Sequence, residues 1–133
     1  MISRRTVLLM LTTVAVCSNL PAWAAGRGGP VRMFDTDNDG TIDLMEAKKA
    51  ASAVFDRLDR DKDGTLDRLE LSGRLSPKEI AAADPDHDGT LTKDEYLAVV
   101  EQRFNAANPD KDGTLDAKEL GSAAGKTLLR LMR

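Results

Sequence analysis

The sequence predicts an all-α fold, an array of four helix–loop–helix units that share their connecting helices. Three observations predict it. Four twelve-residue acidic segments begin 24, 25 and 24 residues apart, which is an internal repeat. The stretches joining the first segment to the second, and the third to the fourth, hold many helix formers and neither Gly nor Pro. Only 4% of the 133 residues are aromatic while 31% are charged, so any core is small and the chain supports one domain or two small lobes.

The segment Asp59-Arg60-Asp61-Lys62-Asp63-Gly64-Thr65-Leu66-Asp67-Arg68-Leu69-Glu70 shows the chemistry of the repeat. Carboxylates stand at its first, third, fifth, ninth and twelfth positions, with Gly at the sixth. A hard divalent ion of calcium's size takes about six to eight oxygens, so a short loop has to wrap it closely. Asp59, Asp61 and Asp63 are short enough to reach inward, and Glu70 is long enough to clamp an ion with both oxygens. Gly64 allows the sharp turn. Thr65 is expected to offer its backbone carbonyl and Asp67 to act through a water, while Leu66 points away from the ion.

The other loops follow the same plan. Asp35 to Glu46 supplies Asp35, Asp37, Asp39, Thr41 and Glu46 as candidate ligands. Asp84 to Glu95 supplies Asp84, Asp86, Asp88, Thr90 and Glu95, and Asn108 to Glu119 supplies Asn108, Asp110, Asp112, Thr114 and Glu119. Solvated Asp-Gly turns would require no Glu at the twelfth position, yet all four segments have one. Of the 22 acidic residues, 18 occupy these coordinating positions, five in each of the first two loops and four in each of the last two. Without an ion those charges repel, so binding is expected to couple to folding. The all-oxygen set suits Ca2+ better than Mg2+, which prefers a tighter octahedron and keeps its waters. Zinc lacks ligands, because His87 is the only His and stands at an outward-pointing loop position. No Ser, Cys or His nucleophile or base constellation remains outside the loops, so the chain does not read as an enzyme.

The N-terminus reads as a targeting segment. Arg4 and Arg5 precede an apolar run, Val7 to Cys17, too short to span a bilayer, and Pro21-Ala22-Trp23-Ala24 offers a small-residue cleavage site. Residues 1–24 are therefore expected to be a signal peptide directing the protein to the periplasm or exterior. Ser3-Arg4-Arg5-Thr6-Val7-Leu8 leaves the twin-arginine and general secretion routes both open. Bulky Val16 disfavours a lipid anchor at Cys17. The chain after cleavage holds no Cys, and its 17 basic and 22 acidic residues give a formal charge of −5. Four divalent ions would carry it to +3. No stable membrane anchor, nucleic acid or obligate second copy is expected.

Residues 25–30 read as a flexible leader, and residues 31–133 as the folded domain. Val31 to Phe34 can form only a short helix entering loop one. Phe34, Leu58, Ala83 and Ala107, with Val31, Phe55, Ile80 and Phe104 three positions earlier, are the expected core contacts of the entering helices. Leu44 to Leu58 and Lys93 to Ala106 read as single helices, the second ended by Asn108-Pro109. Order breaks around Gly73, and Ser76-Pro77-Lys78-Glu79 starts a short helix with a cap, a first-turn Pro and a capping Glu. A helix of about 14 residues holds its ends roughly 20 Å apart. Loops one and two therefore cannot touch. The expected pairing sets loop two beside three and loop one beside four, Leu66 against Leu91 and Ile42 against Leu115 in short β-bridges; pairing one with two and three with four would need kinks in both long helices.

From Asp35 to Glu119 the chain resembles the EF-hand family, and small exported bacterial members more than calmodulin, whose connectors are about twice as long. The resemblance implies a calcium-binding protein taking up to four ions as a buffer or as a calcium-stabilised module. The alternative is a sensor or adaptor that docks a specific protein partner, although Met33, Met45 and Met132 are few for a Met-rich groove. Asn108 at the first position of loop four, and Thr92 at the ninth of loop three, each remove a charge, so loops one and two are expected to bind more tightly. Leu120 to Arg133 is expected to be one exiting helix that packs its leucines on the core and ends in basic residues suited to its dipole.

Overall fold

A computed structural model describes residues 29–133; the expected signal peptide and the first part of the leader lie outside the described residues. The elements run α1 (Pro30–Phe34), β1 (Ile42–Asp43), α2 (Leu44–Leu58), β2 (Thr65–Leu66), α3 (Pro77–Ala83), β3 (Leu91–Thr92), α4 (Lys93–Ala107), β4 (Thr114–Leu115), α5 (Ala117–Gly121) and α6 (Ala123–Met132).

The two long helices form the frame. Asp43 starts α2 by accepting from Glu46 N at 2.8 Å, while the Glu46 side chain accepts from Asp43 N, a reciprocal cap. Thr92 and Glu95 start α4 in the same way. Lys48 near the start of α2 meets Glu101 late in α4 at 2.7 Å, and Asp56 at the end of α2 meets Lys93 at the start of α4 at 2.9 Å. Only antiparallel helices bring both pairs into contact. These ion pairs are half exposed and contribute a few tenths of a kcal/mol each; the buried Phe55 and Tyr96 rings between them, edge to face at 5.7 Å, contribute more.

With α2 and α4 antiparallel, the loops meet at opposite ends. β1 pairs antiparallel with β4, Ile42 opposite Leu115, and β2 pairs with β3, Leu66 opposite Leu91. All four of these side chains are fully buried. Phe34, Phe55, Ile80, Phe104 and Ala107 join them in one core, with Leu58 and Ala83 packed at its margin.

Two connectors depart from expectation. No helix follows loop two: residues 68–74 form hydrogen-bonded turns, Leu71 N to Asp67 O and Arg74 N to Leu71 O, and Gly73 takes φ +79°, which stops any helix. The segment after loop four is two helices rather than one. Ser122 ends α5 and caps α6, its hydroxyl donating to Glu119 O and accepting from Gly125 N. The break turns α6 back across the frame, where Leu128, Leu129, Leu131 and Met132 are buried against α2 and α4. Three side chains hold its final carbonyls: Arg103 donates to Thr127 O, Arg74 to Arg130 O, and the Tyr96 hydroxyl to Leu131 O at 2.8 Å. Among the described residues no helix is long and apolar enough to cross a membrane.

Two outcomes test this packing. A Cβ on Gly125 would stand 2.2 Å from Glu119 O and 2.5 Å from Leu120 Cα, both backbone. Gly125→Ala is expected to cost about 2–3 kcal/mol, lowering Tm by roughly 10 °C or more, and an unchanged melt would refute the close approach. Burial pushes the Tyr96 hydroxyl up to about 12, with nearby Arg74, Arg103 and Arg57 acting the other way. Its folded value is raised, so its contribution is complete below pH 10 and is lost as pH rises through about 12, roughly 2–3 kcal/mol in all. Tyr96 is the only Tyr, so phenolate absorbance during alkaline titration of the calcium-loaded protein reads it directly; a midpoint near 10 would show an exposed ring.

Candidate metal centre

Each acidic loop is folded by its own side chains along one plan. In loop two, Asp59 accepts from Asp63 N at 3.2 Å with one oxygen and from Gly64 N at 3.1 Å with the other. Asp61 also accepts from Asp63 N, and Asp63 accepts from Thr65 N at 2.8 Å and the Thr65 hydroxyl at 2.9 Å. Glu70 closes the ring, Oε1 taking Arg60 N at 3.0 Å and Oε2 taking Asp67 N at 3.2 Å. Loop three repeats this with Asp84, Asp86, Asp88 and Thr90, and loop one with Asp35, Asp37, Asp39 and Thr41. The backbone therefore turns its N–H groups toward the acids.

That turn requires two left-handed residues per loop. Gly40, Gly64, Gly89 and Gly113 take φ between 84° and 89°, as the sixth-position Gly suggested. Asn38, Lys62, His87 and Lys111 at the fourth position take φ between 56° and 62°, which the sequence reading missed. Asn38 was the available signal, since Asn tolerates this region; the other three carry strain of about 1 kcal/mol each.

The ninth position has a structural role that the sequence did not suggest. Asp67 Oδ1 accepts from Leu69 N and Glu70 N, and Asp43, Thr92 and Asp116 likewise accept from the Glu three residues on. These side chains act as caps that aim the twelfth-position Glu.

The loops are not equivalent. Carboxylate oxygens lie within 4.8 Å of one another for Asp35, Asp37 and Asp39, for Asp59, Asp61 and Glu70, and for Asp84, Asp86 and Glu95. In loop one Glu46 Oε1 takes the second-position N–H, at Thr36, as Glu70 takes that of Arg60, and accepts the Thr36 hydroxyl as well. Loop four keeps the Asp110, Asp112 and Thr114 bonds and the Asp116–Glu119 cap. Its Asn108 is 5% exposed, however, and Asn108 Oδ1 is buried with no hydrogen-bond partner. A buried acceptor without a donor costs about 1–3 kcal/mol, and a cation would satisfy it.

The carboxyls divide by their surroundings. For Asp35 desolvation acts upward, but the Gly40, Asn38 and Asp39 N–H groups outweigh it and hold the group below the ordinary carboxylate value. The Thr65 N–H and hydroxyl hold Asp63 low. Asp37 gains from the Asp39 N–H, yet desolvation and the Asp39 and Glu46 charges push it up; Asp61 behaves alike beside Asp63 and Glu70. A hydrogen bond shared by Asp84 and Asp86 lowers the first and raises the second. Loops one, two and three thus each have a third-position carboxylate held close to unwanted negative charge, the arrangement a bound cation relieves.

The EF hand family model matches residues 32–49, 52–76 and 78–100, which contain the first three loops. Over 46 residues the chain is 63% identical to lanmodulin of Methylorubrum extorquens. That stretch covers 35% of this chain and 35% of that protein, so the match spans about a third of the relative's length.

Asn108→Asp tests the loop-four geometry. The new carboxylate can take the Asp112 and Gly113 N–H groups as its counterparts do, but adds a fifth negative charge to the loop. The ion-free protein is expected to lose about 1 kcal/mol and the calcium-loaded protein to gain a similar amount. Thermal melts with calcium and with chelator read both signs; a shift of the same sign in each would refute the assignment.

Proposed function

Because this chain belongs to the EF-hand family, we propose that it binds up to four calcium ions through its four loops and is stabilised by them, acting as an exported buffer or calcium-dependent module. Calcium is the ion the acidic loops fit. The ligands of this reading are the first, third, fifth, seventh and twelfth residues of each loop, the seventh through its backbone carbonyl. The observation that carries it is the repeated cradle in loops one, two and three: carboxylates within 4.8 Å of one another, on backbone wound tightly by left-handed residues, which a cation stabilises. The five carboxylates of loops one and two also suit a trivalent ion of calcium's size. The segment shared with lanmodulin supports including lanthanides among the ions to test.

A buffer or module fits the surface better than a sensor with an open groove. Among the described residues the large exposed apolar side chains are Met33, Met45 and Leu69, which lie apart in sequence, while α6 covers the face between α2 and α4. The basic start, apolar middle and small-residue end of residues 1–24 support export.

Calorimetry and far-UV circular dichroism of the chain from Ala25 onward test the proposal together. About four ions are expected, with a rise in helicity. Glu70→Gln is expected to weaken one site at least tenfold. Metal loading should also reverse migration in a native gel at neutral pH, since formal charge passes from −5 to +3. No heat and no spectral change would overturn the proposal.

A further inference from the structure

Three arginines, one from loop two and two from elsewhere in the fold, line one concavity. The turns after loop two, the start of α3 and the last turn of α6 enclose a shallow concavity of about 410 Å3. Arg68, Arg74 and Arg130 line it, with Ser72, Ser76 and Glu79. Glu79 is the only carboxylate there, and both its oxygens are engaged: Oε1 with Arg103 Nη2 at 2.7 Å and Oε2 with Ser76 N at 2.7 Å. Arg103 does not line the concavity, so it cancels the charge of Glu79 from outside. Among the described residues none of the three lining arginines is in an ion pair. Arg74 is half-buried, and its bond to Arg130 O fixes the guanidinium while leaving further N–H donors.

We propose that this concavity binds a phosphate group, held by Arg68, Arg74 and Arg130. Three guanidinium forks suit an oxyanion with three or four oxygens better than a carboxylate with two. Arg68 and Arg130 are exposed at the rim of the concavity and Arg74 is half-buried, and the volume admits a small phosphorylated molecule. Phosphate free in solution and phosphate on a lipid headgroup share this chemistry. Arg68 belongs to loop two, at its tenth position, but the site uses none of the candidate metal ligands.

The test is a titration of the calcium-loaded protein with inorganic phosphate, followed by amide NMR, with calcium kept stoichiometric so that no free ion precipitates. Saturable shifts confined to residues 68–76 and the end of α6, with Kd below about 10 mM, are expected. Arg68→Gln and Arg130→Gln should each weaken binding about tenfold while leaving calcium stoichiometry and the melt unchanged. Vesicles of phosphatidic acid form the second arm: co-sedimentation displaced by inorganic phosphate identifies a headgroup, and phosphate binding without co-sedimentation identifies a free anion. No saturable shift, or shifts that chloride reproduces at equal ionic strength, would overturn the proposal.

Discussion

The antiparallel contact between α2 and α4 is the constraint on which the rest depends. Each helix has 15 residues, a rod of about 22 Å. A rod that leaves one loop and enters the next keeps those two loops apart, so each must find its partner on the other rod. Antiparallel alignment places loop one with loop four and loop two with loop three. Lys48–Glu101 and Lys93–Asp56 mark the alignment at two levels, and Phe55 packs on Tyr96 beside the second pair.

On that frame the loops hold their acids in a state of balanced opposition. Backbone N–H groups stabilise the first and fifth carboxylates, and neighbouring charge pushes the third upward in loops one, two and three. The reciprocal caps that start α2 and α4 are made by the ninth and twelfth loop residues themselves. An ion drawing on the twelfth-position Glu therefore acts on the first turn of a helix, which couples binding to the stability of the frame. Loop four holds the same shape with an uncharged first residue, and its unpartnered Asn108 oxygen marks it as the loop least complete without a cation.

Acids gather in the loops at the two ends of the frame, while Lys126 and Arg130 lie exposed on α6 and Arg133 follows its end. The apolar side of α6 closes the core, and its carbonyls are held by Arg74, Tyr96 and Arg103. The helix thus joins the end of loop four to the turns after loop two, and its basic side faces solvent where the arginines converge.

The sequence by itself determined what local chemistry controls. Loop spacing named the acids; Gly-free, Pro-free runs bounded Leu44–Leu58 and, to within one residue, the second long helix; Ser76, Pro77 and Glu79 marked the start of α3. The cross-pairing of Ile42 with Leu115 and Leu66 with Leu91 needed one further step, the rigidity of a helix of known length. The break at Ser122 had a local signal that the single-helix expectation passed over, Gly121 followed by Ser122, a weak helix residue before a favoured cap; only the tertiary structure decided the direction in which α6 leaves it. Gly125 made the turn possible by letting α6 approach the backbone of Glu119 and Leu120, a contact no propensity encodes. The isolation of Asn108 Oδ1 and the convergence of Arg68, Arg74 and Arg130 belong to the same class. Arg74 and Arg130 are 56 positions apart, and such distant side chains meet only once the frame has closed.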